Sequence, residues 1–390
     1  MKHFLRTALA GVVLVGTLAV SAAAADFTGC ADQLQALGLF RGSEQGYELD
    51  RAPTRAEAAV MLVRLLGEEQ DALALEYDAP FTDLDSWQQP YVQYLYDNGL
   101  TTGVSATAFA PEEPCSAQMY AAFVLRALGY TEAGGDFTYN SVLDFAGQAG
   151  LYDPAAIDPA DFLRDDVAAA SYTALSLPVK GSGQTLLDRL VEDGAVDAQA
   201  AAPVQAMFDA YTQYRAGTAG MDGLSQYTVR DGLAVTFSGS EEDGMRLQTE
   251  GSTAVDREQG TALAEGMLTL YASGVAPYTN EYRLDAAEQG GAVRAGLLHG
   301  YDVVPLACIQ SMTQAGSAWT FIFGKLPAQY EGSLWALAHS VGAFEQVGDA
   351  VLVQTIEDGC IASQTLTVAL EQGGVALNAV VTGTLLETAK

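Results

Sequence analysis

The sequence is poor in basic residues. Its 390 residues include 18 lysines and arginines against 49 aspartates and glutamates, which gives a formal net charge of −31. A surface of that sign repels phosphate backbones and anionic lipid headgroups, so the composition disfavours nucleic acid and membrane surfaces as partners. Because apolar residues make up 49% of the chain, there is ample surface to bury, and the composition also disfavours a disordered acidic protein.

Long apolar runs are absent after the first 25 residues. Residues 1–25 have the pattern of a secretory signal, with basic Lys2 and Arg6, an apolar core over 8–20 and small residues at Ala23–Ala25. The core is shorter than the roughly 20 apolar residues of a transmembrane helix, so a cleaved signal is predicted rather than a membrane anchor. Removing Lys2 and Arg6 leaves 16 basic and 49 acidic residues, a formal charge of −33.

Histidine is also scarce, with His299 and His339 the only ones beyond the signal. No serine or cysteine is visibly placed as a nucleophile beside either ring, although the members of a triad meet in space rather than in sequence. The chain has no glycine loop for phosphate and no metal-ligand spacing, so no cofactor and no metal are predicted. The sequence therefore favours a role other than catalysis.

Cysteine is the last residue type in short supply. The four cysteines, Cys30, Cys115, Cys308 and Cys360, are widely spaced and form no metal-binding pair. An exported chain permits disulfides, and four cysteines allow three connectivities. If a disulfide forms, a bond between Cys308 and Cys360 is the preferred pairing, and free buried thiols are an equal alternative.

The sharpest local signal is the start of a helix. Thr54 can cap the helix, Glu57 stands at the reciprocal capping-box position, and an apolar run follows to Gly67. Arg55 lies in the first turn, where a cation opposes the positive end of the helix dipole. Arg55 is therefore either an ordinary surface arginine or a contact for a ligand.

The same pattern comes back twice in the first half of the chain. Segments of about 27–70, 81–130 and 137–180 each contain a short helix, a glycine stop, a turn and a second helix. The end of the first copy, Val63–Gly67, aligns with the end of Phe123–Gly129 in the second. Stacked repeats share one core, so no copy need bury its own apolar face alone.

These residues resemble three S-layer homology repeats, in which each repeat opens with Phe-x-Asp and closes with a helix that begins Thr-Arg-Ala-Glu. The first copy has Thr54–Glu57, the second has Phe81–Asp83, and the third has Leu163–Asp166. In the second copy Ala117 replaces the arginine and Met119 replaces the glutamate. The resemblance implies a pseudo-threefold helical bundle that holds an exported protein on the bacterial cell wall by binding secondary wall polysaccharide.

The resemblance also implies a set of glycan-binding residues. An acidic glycan suits the planar fork of arginine, a tryptophan offers a flat surface to a sugar ring, and carboxylates accept hydrogen bonds from sugar hydroxyls. The implied residues are Arg55 as principal cation, Arg164 as second cation, and Asp83, Trp87 and Glu57 as supporting contacts. In the alternative interpretation Trp87 is a core aromatic, Asp83 caps a helix, and Arg164 pairs with Asp165 or Asp166.

The second half of the chain changes from helical periodicity to alternation. Ala200–Pro203 is predicted as a linker between two helices, Leu186 to about Val191 and Val204 to about Tyr214. Two more helices are predicted at Leu306–Met312 and Tyr330–Val341. Strands are predicted at Tyr227–Val229, Leu233–Phe237, Met267–Tyr271, Val351–Thr355, Leu366–Leu370 and Val375–Leu386.

The predicted fold class is multidomain. An all-α three-repeat bundle covers residues 26–200, a helix and linker cover 201–223, and an α+β domain with a mostly antiparallel sheet covers 224–390. The order of the later elements resembles the open half-barrel of periplasmic lipoprotein carriers. That likeness implies a concave face for an apolar ligand near Trp319, Phe321, Phe323 and Trp335, and the alternative is that these rings join helices to the sheet.

The sequence thus predicts a secreted, cell-wall-associated protein, anchored by its repeats to secondary cell-wall polysaccharide or a peptidoglycan-linked glycan. The domain at 224–390 would have a binding or structural role. Two alternatives stay open. One is a secreted hydrolase with its active site near His299 or His339, and the other is a half-barrel that binds an apolar ligand.

Overall fold

The computed structural model describes residues 27–153, 156–238, 244–285, 303–326, 345–372 and 374–389. They belong to two compact units. One unit lies within residues 26–209 together with 305–307, and the other lies within 210–304 and 308–390. Several sequence predictions lie outside the described residues, namely the signal at 1–25, His299, His339, Trp335 and the helix Tyr330–Val341.

The first unit is helical. Its helices are α1 (Thr28–Ala36), α2 (Arg55–Leu65), α3 (Glu69–Leu73), α4 (Gln89–Asp97), α5 (Ala117–Ala127), α6 (Val142–Gln148), α7 (Arg164–Leu175) and α8 (Leu186–Glu192). The predicted cap of α2 is confirmed, because Thr54 Oγ1 accepts from the amide of Glu57 and a Glu57 carboxylate oxygen accepts from the amide of Thr54. The predicted helix at Leu186 is confirmed as α8.

Helices α2, α5 and α7 are buried along most of their length. Alanine and larger apolar side chains fill their buried positions, and Tyr120 of α5 is fully enclosed. The Tyr120 hydroxyl lies 2.7 Å from Ser171 Oγ of α7, which satisfies both polar groups inside the core. These helices therefore meet through a packed apolar centre with one paired polar contact.

The same type of helix end occurs five times in the described part of the helical unit, after α1, α2, α4, α5 and α6. At each of these ends a glycine with positive φ reverses the chain, and the next residue donates its amide back to a carbonyl five residues earlier. The bonds after α1, α4 and α6 run from Leu39 to Leu34, from Leu100 to Leu95 and from Leu151 to Ala146, at 2.9, 2.8 and 2.9 Å. The predicted glycine stops at positions 38, 99 and 150 are therefore confirmed.

The second unit is built on an antiparallel sheet. Its strands are β1 (Gln226–Ser238), β2 (Arg246–Asp256), β3 (Thr261–Ala272), β4 (Val275–Asp285), β5 (Ser311–Ala315), β6 (Ala318–Phe323), β7 (Glu345–Gln346), β8 (Ala350–Glu357), β9 (Cys360–Gln372) and β10 (Val375–Ala389). The order is β4-β3-β2-β1-β10-β9-β8-β6-β5, with β7 paired to β9. A helical half followed by an α+β half, as the sequence predicts, is confirmed.

All six predicted strands lie within observed strands. Two of them, predicted at Tyr227–Val229 and Leu233–Phe237, are parts of the single strand β1. The predicted helix Leu306–Met312 is wrong beyond its first turn. A short 3-10 helix covers Leu306–Cys308, and strand β5 begins at Ser311 because Met312 pairs with Phe321 of β6.

The long helix α9 (Ala198–Gly217) corrects the predicted linker. Ala200–Pro203 lies inside this helix, whose first turn is capped by the Asp197 carboxylate on the amides of Gln199 and Ala200. Pro203 lies in the second turn, where it donates no backbone hydrogen bond and its ring crowds the carbonyl four residues earlier, and the helix nevertheless continues through it. The alanine-rich run therefore extends the helix predicted from Val204.

The last turns of α9 pack on one face of the sheet through Tyr214. Its hydroxyl donates to Gln354 of β8 at 2.7 Å and accepts from the amide of Val304 at 3.1 Å. Its ring meets Phe321 edge-on, with 4.9 Å between centroids. Trp319, Phe321 and Phe323 are all buried, which favours the interpretation that these aromatics join a helix to the sheet.

The preferred disulfide is not formed. No disulfide joins any two of the four cysteines, all of which lie among the described residues. Cys30 and Cys115 are buried, and Cys308 and Cys360 are partly exposed. Burial raises the pKa of Cys115 to about 12, which keeps this thiol protonated and unreactive at neutral pH. Among the residues that the structure describes, no helix has the length and apolar character needed to cross a bilayer.

Candidate functional site

The candidate site is built where the first turns of α2 and α7 dock on loops. Carbonyls of loop residues 111 and 113 hold the start of α2, and carbonyls of loop residues 49 and 51 hold the start of α7. Each residue of the first pair follows its counterpart by 62 positions in the sequence. In both places two consecutive helix amides donate to loop carbonyls two residues apart. The bonds are Arg55 to Glu113 (2.9 Å), Ala56 to Pro111 (3.0 Å), Arg164 to Arg51 (2.9 Å) and Asp165 to Leu49 (3.1 Å).

Arg55 lies at the first of these docking points and is 5% exposed. Its Nε donates to the carbonyl of Phe109 at 2.8 Å, and its guanidinium carbon lies 4.7 Å from the centre of the Phe109 ring. Its Nη1 lies 3.0 Å from Met119 Sδ. Within the described part of the chain, no carboxylate lies within 4.0 Å of this guanidinium.

Burial lowers the pKa of Arg55 from its ordinary value, with the potentials of Cys115, Tyr139 and Asp83 acting in the opposite direction. Arginine stays protonated in proteins in spite of such shifts, so the group carries its charge. A buried cation without a carboxylate partner is costly, because the interior does not replace the water that it lost. Arg55 is thus a fixed positive charge that an anion would stabilise.

Arg164 lies at the second docking point and is 6% exposed. Its Nε donates to the carbonyl of Tyr47 at 3.0 Å, as Arg55 does to Phe109. Its Nη1 lies 3.6 Å from Glu57 Oε1 and 3.9 Å from Met61 Sδ. The predicted pairing with Asp165 or Asp166 is wrong, because Asp165 accepts the amide of Phe27 and Asp166 accepts the amide of Leu163.

Glu57 is engaged by groups of its own chain. Its two oxygens accept from Arg51 Nη1 and Nη2 at 2.8 and 2.6 Å, in addition to the Thr54 amide. Burial opposes ionisation, but the bonds from Arg51 and Thr54 and the charge of Arg164 hold the pKa of Glu57 below its ordinary value. Glu57 therefore forms an ion-paired group with Arg51 and Arg164.

Asp83 supports the loop that holds Arg55. Its carboxylate accepts from the amide of Phe109 at 3.0 Å and from that of Ala110 at 2.8 Å. Ala110 has a φ of +58°, a conformation that a residue with a side chain adopts only when other contacts impose it. The helix-cap interpretation of Asp83 is wrong, since the carboxylate ties down a loop whose Phe109 carbonyl in turn fixes Arg55.

Trp87 lies in the turn before α4 and is 51% exposed. The core-aromatic interpretation of Trp87 is therefore wrong. The neighbouring side chain of Gln88 donates to Glu112 at 2.8 Å, which joins this turn to the loop that holds Arg55. An exposed indole beside such a loop has a free face for a flat partner.

The structure brings the sequence-predicted residues together in two groups. Asp83 and Arg55 are linked through Phe109, and Glu57 and Arg164 form the second group. Arg51 was not predicted from the sequence, and Met119 was recognised only as the residue that replaces the motif's glutamate in the second copy. Met119 occupies the position of Glu57 one repeat of 62 residues later.

Comparison with known protein families matches residues 80–116 to the S-layer homology domain. This segment contains Asp83, Trp87 and Phe109 and ends at Ser116, the residue that caps α5. The chain therefore carries an S-layer homology domain within its helical unit.

Curated relatives match over parts of their length. The chain is 29% identical over 130 residues to the "Middle cell wall protein" of Brevibacillus brevis, covering 33% of this chain and 12% of that protein. It is 28% identical over 143 residues to the "Surface layer protein" of Brevibacillus choshinensis, covering 33% and 13%. It is 39% identical over 79 residues to an "Endoglucanase" of a Bacillus species, covering 20% and 8%.

The chain thus spans between 8 and 13% of the length of these relatives. Together with the domain match, these relatives support a cell-surface-associated protein. Among solved structures, the dehydratase domain from the CurK module of curacin polyketide synthase covers 45% of this chain and 80% of its own, at 11% identity and a TM-score of 0.15. A TM-score of 0.15 is too low to assign a shared fold.

Proposed function

We propose that the helical unit anchors the protein non-covalently to the bacterial cell wall by binding an acidic wall polysaccharide. Three helical repeats related by sequence form the anchor, and Arg55 binds the acidic group of the glycan. The sheet-containing unit is displayed at the wall and has a binding or structural role.

The observation that carries this proposal is the state of Arg55. It is a nearly buried cation, held rigidly by the Phe109 carbonyl and ring, with no carboxylate within ion-pair distance in the described part of the chain. A carboxylate on a sugar would supply the missing charge and form charge-assisted hydrogen bonds with the fork of the guanidinium. Binding of the anion thus offsets the free energy that burial of the guanidinium costs the folded protein.

The neighbourhood of Arg55 suits a saccharide. Trp87 offers an exposed indole on the turn that Gln88 ties to the same loop, and a sugar ring stacks on such a surface. Asp83 keeps this loop in place through two backbone hydrogen bonds. Asp83 thus supports the site by holding the loop, while Trp87 supplies contact area.

The overall charge makes this local arrangement necessary. A chain of net charge −31 repels an acidic polymer at long range, so binding requires a fixed cation close to the ligand. Arg55 supplies such a cation, since no carboxylate of the described part of the chain lies within ion-pair distance of it. The S-layer homology domain at residues 80–116 and the wall-protein relatives support a wall glycan as the partner.

The test is retention of the full chain on purified cell-wall sacculi that carry their secondary polysaccharide. We expect the natural protein to pellet with the sacculi and Arg55→Gln to lower its affinity about tenfold or more, the loss expected for charge-assisted hydrogen bonds. Arg41→Gln is the matched control, because Arg41 is exposed, pairs with Glu69 and lies away from both docking points.

Sacculi stripped of secondary polysaccharide provide the second arm and should retain neither protein. Equal retention of the natural protein and the Arg55→Gln variant, with both folded by thermal melting, would contradict the assignment of Arg55. Failure of the natural protein to bind any sacculi would contradict wall anchoring itself.

A further inference from the structure

Glu57 and Met119 occupy equivalent positions in the first and second helical repeats. Each is the third residue of its helix, α2 or α5, and 62 residues separate them. Each also approaches an arginine that belongs to the helix docked beside it. Arg164 Nη1 lies 3.6 Å from Glu57 Oε1, and Arg55 Nη1 lies 3.0 Å from Met119 Sδ.

The charges around the two arginines differ because of this position. Beside Arg164, Glu57 also binds Arg51, and Arg51 in turn contacts Glu48 at 3.2 Å. Two guanidiniums thus face two carboxylates, and the group is formally neutral. Beside Arg55 the equivalent side chain is an uncharged thioether, which does not neutralise a cation.

The burial of the two arginines is almost the same, at 5 and 6%, and their Nε atoms make matching bonds to loop carbonyls. Burial lowers the pKa of both, but a carboxylate opposes the shift at close range only for Arg164. The docking geometry therefore does not distinguish the two sites. The two sites differ in the residue at the third position of the helix, which is Glu57 beside Arg164 and Met119 beside Arg55.

We infer that this residue sets the number of arginine sites that accept an anion, and that Glu57 is an internal carboxylate which takes the place of a ligand's acid beside Arg164. The chain then has one such site, at Arg55, where Met119 leaves the cation unneutralised. This inference rests on the proposed function, since it concerns the same glycan.

The inference reverses the role that the sequence predicts for Glu57. A glycan contact at Glu57 would be lost on substitution, and binding would weaken. If Glu57 is an internal counter-ion, its removal leaves Arg51 and Arg164 with one carboxylate, Glu48. The site at Arg164 then gains affinity for anions. The two roles therefore predict opposite signs for one substitution.

The experiment exchanges the two residues in the full chain. The probe is purified acidic wall polysaccharide, and calorimetry measures affinity and the number of sites. In the natural background we expect one site, which Arg55→Gln weakens about tenfold or more and Arg164→Gln changes less than about threefold. In the combined Glu57→Met and Met119→Glu background the dependence should reverse, with Arg164→Gln now abolishing binding.

Glu57→Gln serves as the second variant because glutamine retains the capping box of α2 while removing the charge. We expect it to show two sites, and combining it with Arg55→Gln should leave one. Thermal melting checks that each variant is folded. If the chain with both Glu57→Met and Met119→Glu does not fold, the number of sites in Glu57→Gln tests the inference.

The outcomes separate the two proposals. If the natural protein binds through Arg55 but Glu57→Gln leaves the number of sites at one or weakens binding, the inference is overturned and the proposed function stands. If the natural protein does not bind the polysaccharide at all, the proposed function is overturned.

Discussion

Asp166 is a buried carboxyl near the start of α7, where it accepts the amide of Leu163 at 2.7 Å. Burial raises its pKa to about 7, opposed by the Leu163 bond and assisted by the charges of Asp161 and Asp158. In the folded protein this group keeps a proton at pH values where the unfolded chain has released it. Between about pH 4 and pH 7 the free energy of unfolding therefore falls as the pH rises.

Replacing Asp166 by asparagine should remove this contribution. Asparagine keeps an oxygen that accepts the Leu163 amide but carries no charge to desolvate. We expect Asp166→Asn to raise the free energy of unfolding by about 1–4 kcal/mol at pH 8 and to change it little at pH 4. Urea denaturation at both pH values measures the difference, and an equal effect at the two values would contradict the assignment.

Single residues were the hardest features to predict from the sequence. The capping box at Thr54 and Glu57 follows from local spacing, and both arginines follow from the repeat pattern. The partners of those arginines do not, because Phe109, Tyr47 and Arg51 lie on loops that other parts of the chain bring to them. Asp83 illustrates the limit, since its bonds to residues 109 and 110 span more than 25 positions.

Helices and strands followed from the sequence where periodicity was strong. Helix α2 begins at its predicted cap, α5 begins next to Ser116 and α8 begins at Leu186, as the sequence predicts, and every predicted strand falls within an observed one. Strands β2, β4, β5, β6 and β7 were not predicted. The sequences of β2 and β4 are polar and contain a glycine and a proline respectively. Sheet pairing stabilises such strands through neighbouring chain segments, which local sequence does not reveal.

The helix ends offer a matched pair of substitutions. Gly99 ends α4 with a φ of +67°, whereas Gly147 lies within α6, exposed, where an added Cβ would meet only ordinary contact at 3.8 Å. We expect Gly99→Ala to lower the free energy of unfolding by about 1–2 kcal/mol, because alanine strains at positive φ. Gly147→Ala should raise it by about 0.5–1 kcal/mol.

Thermal and urea unfolding of the two variants checks this pair. Because the substitutions are chemically identical and both glycines belong to the helical unit, each serves as the control for the other. Stabilisation by Gly99→Ala would show that the glycine stop after α4 does not require the left-handed conformation.

At the scale of the whole molecule, the decisive property is the shortage of positive charge. With 18 basic against 49 acidic residues, the surface repels acidic polymers almost everywhere. The described arginines of the helical unit are mostly paired, as Arg51, Arg64 and Arg126 are with nearby glutamates. Composition predicted this scarcity, but only the three-dimensional arrangement distinguishes Arg55 from its paired counterparts.

The most direct test of the central claim is the position of the glycan's acidic group in a crystal structure of the full chain with a wall-polysaccharide fragment. The account predicts a carboxylate oxygen about 2.8 Å from a guanidinium nitrogen of Arg55, the usual length of a charge-assisted hydrogen bond. A fragment bound elsewhere, with the Arg55 guanidinium contacting only Phe109 and Met119, would contradict it.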